Sequence, residues 1–117
     1  MSGPPEELVD HIVTHLSEEQ PALIADLGDE EVVRRAAAGI ARAHAHGFVQ
    51  PESVTAYVTL MFLVAPDFDS HPAIARALRL HGTEAERLKL LFERTREEDW
   101  DQAAAQSKGW DSVLPKP

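Results

Sequence analysis

Cysteine is absent from the 117-residue chain. That absence excludes disulfides, thiolate metal sites, iron–sulfur clusters and cysteine nucleophiles together. Glycine is sparse: the six residues are dispersed, with no glycine-rich loop to cradle a phosphate and no GxSxG elbow around any serine. Positive charge is also in short supply. Eleven Lys and Arg against twenty Asp and Glu leave a formal charge of −9. Such a surface repels nucleic-acid backbones and anionic lipid, so neither is an expected partner, whereas a basic protein is electrostatically favoured. No apolar run reaches the roughly 20 residues that span a bilayer. The first twenty residues carry Glu6, Glu7, Asp10, Glu18 and Glu19 without the basic and apolar regions of a signal peptide. A cytoplasmic setting is the expectation.

What the chain does have is an apolar segment, Val54 to Ala65, with apolar residues all round the helical wheel. Pro51 stands at its start and Pro66 at its end. This pattern predicts a short helix buried on every side and wrapped by the amphipathic segments flanking it. The first of these runs over about residues 5–18, with Pro4 and Pro5 in its opening turn and Leu8, Ile12, Val13 and Leu16 at helical spacing. A short apolar turn, Ala22 to Leu27, ends at Gly28. Asp29 then reads as an N-cap, with Val33, Ala36, Ala37, Ile40 and His44 on one face of the next helix. Its run of alanines with Gly39 allows close approach of the Val54–Ala65 helix. Gly47 suits a left-handed cap, with Phe48 folding back over it.

Beyond Pro66, Ser70 or Asp69 is an expected cap before Pro72, with Ile74, Ala77 and Leu78 facing inward as far as Gly82. Thr83 followed by Glu86 is a capping box. Leu88, Leu91, Phe92, Trp100, Ala103 and Ala104 continue a last helix that the acidic cluster Glu97–Asp99 could kink or interrupt. The expected fold is therefore all-α: a single compact bundle of five main helices plus one short helix around a buried central helix. It would occupy residues 1–106, with 107–117 as a C-terminal tail that is either loose or pinned by Trp110.

No constellation announces catalysis, and no enzyme activity or cofactor is expected. His11 and His15 stand four apart, a spacing that places two imidazoles on one helix face where they could share a metal with Asp10 or Glu18. HExxH would need Glu at the position of Ile12, so the pair reads equally as histidines flanking an apolar stripe. His44 and His46 near a helix C-terminus suit the dipole. Asp67, Phe68, Asp69 and His71 share one loop. They read as turn and capping residues with Phe68 plugging the core, as a partner contact, or as acid–base groups. Tyr57 and Trp100 read as core aromatics with their polar atoms satisfied, and Trp110 as an anchor for a groove on a partner or on the domain itself.

The pattern Gly39-Ile40, Ala45-His46-Gly47-Phe48, then Val54, Tyr57-Val58, Leu60-Met61-Phe62, then Asp67-Phe68-Asp69 and Pro72 resembles a family of small helical bacterial proteins. That family is encoded beside type VI secretion spike, PAAR and toxic-effector genes. The resemblance runs from about residue 8 to Trp100 and departs at Ala65, where the family would have Gly. It implies a non-enzymatic cytoplasmic adaptor or chaperone, or an immunity-type inhibitor, whose partner is a secreted effector or spike component. Asp67, Phe68, Asp69, Trp100 and Trp110 are the expected contacts, on an acidic helical face rimmed with aromatics. The alternatives are a small metal- or ligand-binding protein using His11 and His15, and a module that self-associates through its Ala-rich helix.

Overall fold

Helix, and no strand, is what these residues form. The computed structural model describes residues 6–114 and, among them, has six α-helices. These are α1 (Glu6–Glu19), α2 (Asp29–Ala45), α3 (Pro51–Leu63), α4 (Pro72–Leu78), α5 (Glu84–Glu93) and α6 (Glu97–Ala105). Single 3-10 turns lie at Pro21–Leu23, Phe68–Ser70 and Trp110–Ser112. The proposed roles of Pro4 and Pro5 fall outside the described residues. No helix is long and apolar enough to cross a membrane among the described residues.

The apolar run becomes α3, which packs against α2, α1 and α5. Val54, Tyr57, Val58 and Met61 are fully enclosed, and Ser53 and Thr55 are buried beside them. Thr55 and Thr59 turn their hydroxyls back to the carbonyls of Pro51 and Thr55, both at 2.7 Å, so these polar atoms enter the helix interior satisfied. Enclosure on every side fails in the last turn, where Leu63 is 55% exposed. The 3-10 turn at Trp110 covers the Phe62 side, with ring centroids 4.9 Å apart. Leu63, about 100° further round the helix, is left to solvent.

Against α3 lies α2, on a face rotated from the predicted one: Ala36 and Ile40 are inside as expected, but not every residue of the pattern is. Val33 is 42% exposed and His44 faces solvent, whereas Val32, Ala36, Gly39, Ile40 and Ala43 are buried. The smallest side chains set this rotation. A Cβ on Gly39 would meet Val58 Cγ2 at 2.9 Å and Met61 Sδ at 3.2 Å, so the helices approach as closely as glycine permits. Gly28 rather than Asp29 occupies the N-cap. Asp29, Glu30 and Glu31 fill the first turn, and Glu31 reaches Arg35 at 2.7 Å. At the other end the expected cap forms. Gly47 has φ +86°, and Phe48 N–H reaches back to the Ala43 carbonyl at 3.0 Å while its ring is fully buried.

The capping box at Thr83 is complete, with Thr83 Oγ1 accepting from Glu86 N at 3.1 Å and Glu86 Oε1 from Thr83 N at 2.8 Å. The single last helix is in fact two. The helix is interrupted before the acidic cluster, and Glu97–Asp99 open α6, where Asp99 Oδ2 accepts Arg96 N–H at 2.9 Å and the carboxylates suit the helix's positive end. Thr95 holds the corner, donating to Leu91 O at 2.6 Å and accepting Trp100 Nε1–H at 2.9 Å. Phe92, near the end of α5, is 54% exposed, and Ala104 of α6 faces solvent.

Candidate functional site

The residues singled out in the sequence converge around the loop between α3 and α4, but most of them turn inward. Phe68 is fully buried, against Tyr57 at 5.0 Å and Trp100 at 5.6 Å between ring centroids. Its insertion turns Asp69 toward the C-terminal half of α2, where Arg42 and His46, four residues apart, share a face. Arg42 grips the carboxylate with both ends of its fork, Nε to Oδ2 at 2.9 Å and Nη2 to Oδ1 at 2.7 Å. His46 Nε2 lies 2.7 Å from Oδ2, and the Tyr57 hydroxyl donates to the same oxygen at 2.8 Å. The Asp69 side chain is only 6% exposed.

Burial alone would push this carboxyl up. The hydrogen bonds from His46, Arg42 and Tyr57 outweigh it and hold Asp69 down at about 2. Burial, and then the neighbouring Asp69 charge, push the Tyr57 hydroxyl far above its usual range. Asp69 is thus ionised at neutral pH, and its hydrogen bonds join α2, α3 and the loop. Asp69 does not cap α4, nor does Ser70. His71 does so instead, its Nδ1 accepting Ala73 N–H at 3.2 Å. Its other nitrogen therefore carries the proton, 2.9 Å from Gln102 Oε1 on α6.

Asp67 faces the other way and fastens the C-terminal segment. It accepts the Ser107 hydroxyl at 2.6 Å and Lys108 N–H at 3.0 Å. Beyond it, Trp110 lies on Phe62 with the Arg35 guanidinium 5.1 Å from its ring centre, and Leu114 is buried. Residues 107–114 are docked on the domain. A polar cleft of about 240 Å³ remains between this segment, α6 and the loop, lined by Arg42, Asp67, Ser70, His71 and Ser107 among others. Asp67 and Ser107 engage each other, and Arg42 is spent on Asp69. Ser107 donates to a carboxylate, and both nitrogens of His71 are occupied, so among the described residues no serine is hydrogen-bonded to a histidine base.

Of the five expected contact residues, Phe68 has no surface to offer and Asp69 spends its oxygens internally. Asp67 binds the tail, and Trp110 is a partly covered anchor on the domain itself. Trp100 is half-buried, and its outer neighbour is the exposed Phe92, stacked on it at 5.6 Å and 23°. His11 is exposed and His15 half-buried on α1, and among the described residues no group of three or more His, Asp or Glu comes together to hold a metal. Sequence reasoning missed Arg42 and His46 as the partners of Asp69, although their four-residue spacing at the rim of an inner face is a signal. It also missed Arg87, whose Nη2 donates to the carbonyls of His46 at 2.7 Å and Leu78 at 2.8 Å while the guanidinium lies 4.3 Å over Phe48. Arg87 so ties together the C-terminal ends of α2 and α4, the ends that favour a cation. No family model, no curated protein and no solved structure matches the chain.

Proposed function

We propose that this is a protein-binding adaptor or chaperone, or an immunity-type inhibitor, acting in the bacterial cytoplasm on a secreted effector without catalysing a reaction. The observation that carries the reading is the Phe92–Trp100 stack. A large aromatic is held 54% exposed at the α5–α6 corner, with exposed charges of both signs on either side in sequence, Lys89, Glu93, Arg94, Arg96, Glu97, Glu98 and Asp101. Aromatic anchors of this kind supply a disproportionate share of interface affinity. The chain's net charge of −9 speeds encounter with a basic partner. The bonds of Asp67 to the C-terminal segment and of Asp69 to α2 support a scaffolding role for that loop.

Affinity capture from native lysate with the wild-type chain and with Phe92→Ser tests the reading. A stoichiometric basic protein retained by the wild type, lost with Phe92→Ser and released by moderate salt is the expected result. Equal retention by both chains, or none by either, overturns it.

A further inference from the structure

Acidity is a property of the whole chain but not of all its faces. Residues 72–96 hold six of the eleven Lys and Arg and only three of the twenty Asp and Glu. On the α4–α5 side, Leu80 lines two clefts, of about 220 Å³ and 430 Å³. Arg76 and Arg94 flank the first over a floor of Ala73 and Ala77. Arg79, Arg87, His46 and His81 line the second. No carboxylate lines either cleft.

The pairing pattern makes this more than a local excess of charge. Arg34, Arg35, Arg42 and Arg96 each pair with a carboxylate. The side chains of Arg76, Arg79 and Arg94 have no hydrogen-bond or ion-pair partner among the described residues, and Arg76, Arg79 and Arg94 are all exposed. Arg87 also holds a buried Nε without an acceptor. The carboxylates of α5 are spent elsewhere: Glu84 on Val49 and Gln50 N–H, Glu86 on the helix cap, Glu93 3.9 Å from Lys89. In a chain with so many acids, the unpartnered arginines sit together on one grooved face.

We infer that this groove docks an acidic, apolar-bearing segment of a partner protein, through the arginines and Leu80 rather than through the Phe92–Trp100 stack. The cations are spread along two clefts rather than converging on one point, which suits an extended segment and not a single phosphate. The floor of Ala73, Ala77 and Leu80 offers apolar contact between guanidinium rims, and guanidinium forks match carboxylates. The net charge of −9 resists a long nucleic-acid polyanion, while a short segment meets only the local field.

The test uses the full chain, a synthetic helical peptide with leucines along one face flanked by glutamates, its lysine-substituted counterpart, and single-stranded DNA of matching charge. Amide chemical-shift mapping should place the glutamate peptide at Ala73, Leu80 and Gly82. Affinity should fall about tenfold in an Arg76→Glu/Arg94→Glu variant with an unchanged melting temperature, and the lysine peptide should not bind. Failure of the glutamate peptide to bind, binding indifferent to the charge reversal, or equal binding of the DNA at these residues overturns the assignment. Capture experiments separate this outcome from the preceding one. A native partner lost with Phe92→Ser yet fully retained by the Arg76→Glu/Arg94→Glu variant leaves the aromatic reading standing and removes this one.

Discussion

Asp69 is held by a forked arginine, an imidazole and a phenol, which fasten the loop after α3 to α2 and α3. Its folded-state pKa of about 2 lies below the ordinary 3.8. The bond network therefore adds stability that is complete above about pH 5 and is lost as pH falls toward 2, on the order of 2 kcal/mol. Asp69→Asn should lower stability at neutral pH by about 2–4 kcal/mol, because it leaves the Arg42 charge partly buried without its counter-charge. The same variant should show a shallower loss of stability on acidification than the wild type. Urea unfolding of both chains at neutral and acidic pH measures this, and parallel pH profiles would refute it. The turn itself is readable from Asp67, Phe68, Asp69 and the proline after His71. The inward direction of Asp69 is not, because its partners lie 27, 23 and 12 residues away in sequence and only helix packing brings them to one oxygen pair.

At the scale of elements, the contact between α2 and α3 depends on Gly39. Alanine there would gain about 1 kcal/mol of helix propensity. It would also drive a methyl group to 2.9 Å from the stiff, buried Val58 side chain. The steric term wins, and Gly39→Ala should destabilise by roughly 1–2 kcal/mol net, read from the denaturation midpoint. A stabilised variant would show that α3 can yield. The existence of α2 is plain from its periodicity. Its rotation is not, because adjacent Val32 and Val33 carry the same apolar signal and the alanines and glycine that pack against α3 carry little. The division of α5 from α6 follows similar logic. A continuous helical spacing runs through Arg94–Arg96, and only the Thr95 bonds to Leu91 and Trp100 show that the chain turns there.

For the whole molecule, the C-terminal segment closes one end of the core. Ending the chain at Gln106 would remove the Ser107 and Lys108 bonds to Asp67, bare Phe62 and strip the buried Leu114. Burial of an aromatic and an aliphatic side chain is worth about 1.5–3 kcal/mol each when complete. A partly exposed Trp110 brings the expected loss to roughly 2–4 kcal/mol, visible as a lower melting temperature and increased binding of a hydrophobic dye. An unchanged melting temperature would mean the segment rides on the domain without supporting it. Charge is arranged at this scale too: overall acidity, which predicts a basic partner, conceals a face of unpaired arginines that only the packing of α4 on α5 assembles.

Local chemistry in the chain was enough to determine an all-helical protein, the buried stretch of α3, the glycine turn after α2 and the capping box of α5, since each rests on residues within a turn or two of one another. Tertiary structure alone decided which way Asp69 points, which side of α2 is inside, where the tail rests and which cations are left unpaired. Those depend on distances between residues far apart in sequence, and on close packing that chooses among faces whose side chains differ by little more than a methyl group.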